Sequence, residues 1–128
     1  MDLELDMARE DSAPARARAA VKKLSAALDR DVLSDATLLV SELVSNAVKY
    51  GKGRIRLRVR ARGSRHVLVE VLDEGRGFAL PRRERGRHEP GGLGLALVDR
   101  LATSWGVYDA TTRVWFVIDR SAHLATVA

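Results

Sequence analysis

Two polar side chains suited to chemistry, Glu42 and Asn46, lie four residues apart in the mainly apolar segment 38–51. If that segment is helical, the two side chains share one face. The amide oxygen of Asn46 is a hard ligand of the kind that suits Mg²⁺, which takes few protein ligands and fills its other positions with phosphates and waters. The carboxylate of Glu42, one turn away, could deprotonate a nucleophile near those phosphates. The alternative is two polar residues on a solvated helix face.

A second segment, 73–78 (DEGRGF), follows a predicted strand. Asp73 offers a carboxylate acceptor at the strand end, where the amino group of a nucleotide base could donate. Gly75 and Gly77 allow the backbone to approach a ligand closely or to adopt positive φ. The alternative is a plain turn in which Phe78 anchors the loop to the core.

A third segment, 91–94 (GGLG), leads directly into a predicted helix. Exposed amides and the positive end of the helix dipole form a phosphate site at such a junction. The alternative is a flexible loop before a helix. Neither GxxxxGK[ST] nor a GxGxxG after a first strand is present.

In this order the three segments resemble the N, G1 and G2 boxes of the GHKL ATPase superfamily, the Bergerat fold. The resemblance spans about residues 34–119 and implies that the chain binds ATP and Mg²⁺. Within the superfamily, residues 38–51, 91–107 and 112–118 are similar to the stand-alone anti-sigma-factor serine/threonine kinases of bacteria.

The resemblance implies a role for each matching residue. Glu42 is the implied catalytic base and Asn46 the implied magnesium ligand. Asp73 would accept a hydrogen bond from the adenine amino group, and Thr112 would support adenine through water. Lys49 could reach a phosphate. The predicted ATP-binding residues are Asn46, Lys49, Asp73, Gly75, Gly77, Phe78, Gly91, Gly92, Leu93, Gly94 and Thr112.

The elements that must position these residues follow from hydrophobic periodicity. Ser12 and Pro14 open a first helix, and Ser34 is the predicted N-cap of a second, which ends at Gly51 and Gly53 in left-handed conformations. Period-two alternation predicts strands over 54–60 and 67–73, with a turn at 62–65. A helix over 92–103 and a hairpin over 105–119 follow. The predicted fold is an α+β two-layer sandwich with helices on one face of a mostly antiparallel sheet.

Composition places the chain among globular proteins, with 46% hydrophobic and 30% charged residues. The absence of cysteine excludes disulfides and thiolate metal sites. No apolar run has the length of a membrane span, and the acidic N-terminus does not resemble a signal peptide. We therefore expect one cytoplasmic domain over residues 1–128, with flexible ends at 1–11 and 121–128.

The net charge of +5 is concentrated in arginines, six in residues 54–65 and four in 82–87. The strand arginines either form a solvated face or present a basic surface to an acidic partner protein. The loop arginines either solvate the loop or meet the γ-phosphate of ATP. Nucleic-acid binding is disfavoured, because no aromatic residues are interleaved for base stacking.

The leading functional hypothesis is an ATP-dependent protein kinase that phosphorylates a serine on a small antagonist protein and/or sequesters a sigma factor. The alternative is a nucleotide-dependent binding switch in which Glu42 is idle. A third hypothesis is a nucleic-acid binder with a vestigial site. The oligomeric state stays open, with a homodimer among the options.

Overall fold

A computed structural model describes residues 1–75, 95–107 and 113–121. Its helices and strands, in chain order, are β1 (Asp2–Met7), α1 (Ala13–Lys22), α2 (Arg30–Tyr50), β2 (Ile55–Ala61), β3 (His66–Leu72), α3 (Leu95–Leu101), β4 (Ser104–Val107) and β5 (Val114–Asp119). None of the helices in these ranges has the length and hydropathy needed to cross a membrane.

The five strands in the described ranges form one sheet in the order β1-β2-β3-β5-β4, and every neighbouring pair is antiparallel. Alternate residues of each central strand point to the same face, as the period of two requires. On one face these residues are fully or almost fully buried, with Leu57, Val69 and Phe116 near its centre. Helices α1, α2 and α3 cover this face, so the predicted α+β two-layer sandwich is confirmed.

The first helix follows its prediction. Ser12 occupies the N-cap position and a proline lies in the first turn, where the missing N–H costs nothing. Ala17 and Val21 are buried, and Leu24 and Leu28 of the predicted stripe are buried in the turns that follow.

The second helix begins at Arg30, so the predicted N-cap at Ser34 is wrong. Asp29 occupies the N-cap position instead. Its N–H donates to the carbonyl of Ser64 (2.8 Å), and its carboxylate accepts from Arg65 Nη1 (2.5 Å). Because these partners lie in the β2–β3 turn, tertiary contacts set the start of α2, and local capping preference does not.

The prediction of a flexible N-terminal end at 1–11 is also wrong, because residues 2–7 form the edge strand β1. Leu3 and Leu5 pack against the core and Met7 is fully buried. The intervening acidic residues face solvent beside β2. Of the predicted flexible end at 121–128, only Ser121 lies within the described part of the chain.

The arginine-rich face of β2 is matched by these acids. The ion pairs are Asp6–Arg56 (2.8 Å), Glu4–Arg58 (3.1 Å) and Asp2–Arg62 (2.9 Å), and we call this set the β1–β2 charge ladder. Hydrogen bonds from the arginines lower the pKa of Asp2 and of Asp6, and the Asp6 carboxylate raises the pKa of Arg56. The ladder is solvent-exposed, so each pair contributes little stability. Much of the basic charge on this strand is therefore neutralised within the chain.

The two glycines that were predicted to end α2 in left-handed conformations differ in the structure. Gly53 adopts φ +66°, as predicted, whereas Gly51 has φ −86° and ψ −172°, so its predicted left-handed conformation is wrong.

The predicted hairpin is present as β4 and β5, while its connection lies in residues 108–112, outside the described ranges. Helix α3 is described from Leu95 onward, so the predicted start at residue 92 also lies outside them.

Candidate functional site

The C-terminal end of α2 and the end of β3 meet at one place through backbone contacts. The Glu74 N–H donates to the Lys52 carbonyl (2.8 Å), and the Lys52 N–H donates to Asp73 Oδ1 (3.3 Å). The Arg54 N–H donates to Glu74 Oε1 (3.0 Å). These hydrogen bonds join the segment that follows α2 to the first residues of the predicted DEGRGF segment. Each segment thereby satisfies polar groups of the other.

Asp73 is held in a defined orientation at this junction. Besides the contact with Lys52, its Oδ1 accepts the N–H of Gly75 (2.7 Å), the local pattern by which aspartate stabilises a turn. The side chain is half-buried. A carboxylate fixed by backbone donors is suited to accept a hydrogen bond from an amino group, such as that of adenine.

Gly51 permits the close approach of α2 to this carboxylate. A Cβ at position 51 would lie 2.6 Å from the Ala47 carbonyl oxygen and 2.7 Å from Asp73 Cγ, both closer than real Cβ atoms approach other heavy atoms. The φ of Gly51 is one that any residue adopts. The glycine is therefore required by space, and no conformational strain is involved.

Asn46 lies on the last turns of α2 and is only 7% exposed. Among the described residues, Thr37 is the one other polar residue that is buried. Its hydroxyl donates to the Leu33 carbonyl of its own helix (2.7 Å). Glu42 is half-buried one turn before Asn46, about 6 Å along the helix axis, and Lys49 is exposed near the helix end. Glu42, Asn46 and Lys49 thus follow one another along the second half of α2, which ends near Asp73.

Helix α3 is described from Leu95, the residue that follows the predicted GGLG segment. Leu95 and Val98 are buried, and α3 contacts both α2 and β4. The indole Nε1 of Trp105 donates to Asp99 Oδ1 (3.0 Å), which joins β4 to α3 on the helical side of the sheet.

Of the predicted site residues, seven lie outside the described ranges: Gly77, Phe78, Gly91, Gly92, Leu93, Gly94 and Thr112. The loop arginines predicted for the γ-phosphate lie outside them as well.

A depression of about 270 Å³ also borders Asp73 and Glu74, but it lies on the other side of the sheet. Its lining includes Asp6 and Arg56 of the charge ladder. Because the Asp73 carboxylate contacts Gly51 on the helical side, we place the candidate site there, among residues of α2 and the residues after β3.

Sequence reasoning missed the contributions of Gly51, Lys52 and Glu74. It treated Gly51 as a helix terminator, because the close approach involves Asp73, which lies far along the sequence. It also missed Arg9, whose Nη1 donates to the Val48 carbonyl (3.0 Å) and so satisfies a carbonyl of the last turn of α2. The sequence gives no local signal for that contact, because it joins residues 39 positions apart.

The residues present fit an adenine nucleotide with a metal ion. Asp73 provides the acceptor for an amino group, and Asn46 provides an amide oxygen of the type that Mg²⁺ accepts as a single protein ligand. Both lie on the helical side of the sheet, at the junction of α2 and β3.

Comparisons with known proteins identify the family and the fold. Residues 7–118 match the family model described as a histidine kinase-like ATPase domain. A crystal structure of the RsbU and RsbW domains of Rv1364c from Mycobacterium tuberculosis shares the fold, with a TM-score of 0.66 and 21% sequence identity. The similarity covers 92% of this chain, which spans 31% of that one. No functionally curated protein matched the sequence significantly.

Proposed function

Because the chain belongs to the histidine kinase-like ATPase domain family, we propose that it is an ATP-dependent protein serine/threonine kinase of the anti-sigma-factor type. The observation that carries the proposal is the junction at which α2, with the buried Asn46, contacts the fixed carboxylate of Asp73. The similarity of residues 38–51, 91–107 and 112–118 to anti-sigma-factor kinases supports the narrower assignment. The proposed partner is a small antagonist protein and/or a sigma factor.

In this proposal Asp73 accepts a hydrogen bond from the adenine amino group, and Asn46 holds Mg²⁺. The metal ion, when bound, supplies positive charge that offsets the charge of the phosphates. Lys49 and the amides of residues 91–94 contribute further positive potential around the phosphates. Together these groups orient ATP so that its γ-phosphoryl group faces the partner's serine.

Glu42 is the proposed general base. Its carboxylate accepts the proton of the serine hydroxyl while the serine oxygen forms a bond to the γ-phosphorus. The bond between that phosphorus and the bridging oxygen of ADP breaks, and ADP leaves. Atoms and charge balance with phosphoserine, ADP and one proton as products.

Calorimetry with Mg·ATP tests the binding half of the proposal. We expect Asn46→Ala to weaken binding at least about tenfold, which corresponds to about 1.4 kcal/mol. Ser45→Ala, one position earlier on α2, is the matched control and should bind as the wild type does. An unchanged affinity in Asn46→Ala would show that the site has been assigned to the wrong residue.

Transfer of label from [γ-³²P]ATP tests the catalytic half, using a candidate antagonist protein as acceptor. We expect Glu42→Gln to keep Mg·ATP affinity and to lose labelling of the acceptor, because the amide cannot accept the proton. If wild-type protein binds the acceptor in an ADP-sensitive manner without labelling it, the chain is a binding switch and the kinase assignment is wrong.

A further inference from the structure

A groove of about 540 Å³ runs between the second half of α1 and the first turns of α2, beside the chain that connects them. It lies toward the start of α2, whereas the candidate nucleotide site lies toward its end. From Leu38 to Asn46 is eight residues, or about 12 Å along the helix axis. The residues that line the groove are Arg18, Lys22, Ser25, Arg30, Leu33, Ser34, Thr37 and Leu38.

In the part of the chain that the structure describes, the charged residues that line this groove are cationic: Arg18, Lys22 and Arg30. The nearby acids of α2 face other partners: Asp31 lies 3.7 Å from Arg65, and Asp35 lies 2.7 Å from Arg120. Arg18 Nη1 donates to the Ser41 hydroxyl (2.7 Å), a neutral partner that leaves the charge of the guanidinium uncompensated. The formal charge of the described residues that line the groove is therefore positive.

The groove also has an apolar strip. Leu33 is partly buried against the core, and Leu38 is 43% exposed, one of three large hydrophobic side chains that are exposed in the described ranges. From Arg30 to Leu38 the lining residues recur at spacings of three and four, so they form one face of α2 about 12 Å long. That length accommodates about two turns of a helix lying alongside.

We infer that this groove docks an acidic amphipathic helix of the partner protein. Leucine-like side chains of that helix pack on Leu33 and Leu38, and its carboxylates face the three cations that line the groove. The inference rests on the proposed function in requiring a protein partner, but it assigns that partner a surface separate from the nucleotide site.

Two features favour a protein helix over the other polyanions. Among the described residues, no aromatic side chain lines the groove, so this lining lacks the stacking platforms of single-stranded nucleic-acid sites. Its apolar strip lies in a concave surface between two helices, whereas an interfacial helix presents its apolar side chains outward to the acyl chains of a membrane.

Fluorescence anisotropy tests the inference with the full chain and a labelled synthetic peptide. The peptide carries leucines at i, i+4 and i+7 and glutamates on the flanking positions, and a second peptide has lysines in place of the glutamates. We expect the acidic peptide to bind, the basic one not to bind, and Leu38→Ser to weaken binding of the acidic peptide several-fold.

Charge reversal at adjacent lysines provides the matched control. Lys22→Glu should weaken binding of the acidic peptide at least about tenfold, while Lys23→Glu, which makes the same charge change outside the groove, should not. Arg30→Gln gives a second groove variant without a new charge, and at a helix N-terminus the loss of a cation does not destabilise the helix. A thermal shift with Mg·ATP should stay at the wild-type value in each variant, so failure of the groove and failure of the nucleotide site are distinguishable.

Three outcomes would overturn the inference. One is absence of binding by the acidic peptide, and another is equal weakening by Lys22→Glu and Lys23→Glu. The third is tighter binding of a DNA duplex or of phosphatidylglycerol vesicles with the same dependence on Lys22, which would assign the groove to another class of polyanion.

Discussion

Replacing Gly51 by alanine tests whether the contact between α2 and Asp73 organises the nucleotide site. The backbone angles of Gly51 suit alanine, so the substitution introduces no strain and by itself would stabilise the protein by about 0.4–1 kcal/mol through the unfolded state. The new Cβ, however, would lie 2.6 Å from the Ala47 carbonyl oxygen and 2.7 Å from Asp73 Cγ. Overlap of this kind in a packed region costs about 1–3 kcal/mol. The two effects leave a net loss of about 1 kcal/mol, within a range of about 0–2.6 kcal/mol, in the free energy of unfolding.

The expected effect on nucleotide affinity is larger than this loss of stability suggests. The overlap with the Ala47 carbonyl displaces residue 51 itself, and the overlap with Asp73 Cγ displaces the carboxylate. A hydrogen bond to a charged group is worth about 1.5–3 kcal/mol. We therefore expect the Kd for Mg·ATP to rise by a factor of about 10–150. Isothermal titration calorimetry measures the Kd, and urea denaturation measures the free energy of unfolding.

Gly63→Ala is the control, because it separates stability from site geometry. Gly63 has φ +73° but open space around its Cβ position. Alanine there costs about 1–2 kcal/mol of backbone strain, at the end of β3 opposite Asp73. We expect a similar loss of stability with no change in Kd. A wild-type Kd in Gly51→Ala, or an equal rise of Kd in both variants, would refute the argument from close approach.

Three further predictions concern the fold. Arg65→Ala should lower the free energy of unfolding by about 1 kcal/mol, because it breaks a half-exposed ion pair before α2. The control Lys23→Ala should leave the free energy of unfolding unchanged. Calorimetry should show unchanged Mg·ATP binding in Arg65→Ala, and a change would contradict a purely structural role. The pKa values of Asp2 and Asp6 are lower in the folded state than the ordinary 3.8, so their stabilising effect is complete above pH 3.8 and is lost as pH falls through the lower folded values. The protection factors of β1 amides, which correct for the pH dependence of intrinsic exchange, should therefore fall below pH 3.8 before those of β3 amides, and a simultaneous fall would contradict it. Trp105→Phe should destabilise the protein by about 1 kcal/mol in urea denaturation through loss of a hydrogen bond to α3, and an unchanged midpoint would contradict the contact.

Patterns with strong local periodicity predicted most of the fold. Strands β2 and β3 alternate regularly between buried and exposed residues, and that alternation alone predicted which face carries the core. The start of α2 could not be predicted in this way, because Asp29 is held by Ser64 and Arg65, more than 30 positions away. Strand β1 was not predicted for the same reason, because its acids pair with arginines of β2 that lie far away in the sequence.

The candidate site shows a similar division. The spacing of Glu42 and Asn46 on α2, and the position of Asp73 after a strand, followed from the sequence because each depends on one element. The role of Gly51 depends on the distance between two elements, which the sequence does not contain. The predicted contributions of residues 77–78, 91–94 and 112 stay predictions.

The β1–β2 charge ladder has a consequence for how the molecule behaves at high concentration. In the described sheet β1 is an edge strand, and an open edge can pair with the edge of another chain. If two copies met through β1, Asp2, Glu4 and Asp6 of one would come close to the same carboxylates of the other, with no arginine between them. Pairing of two β1 strands would thus place like charges side by side, which disfavours growth of the sheet through this edge.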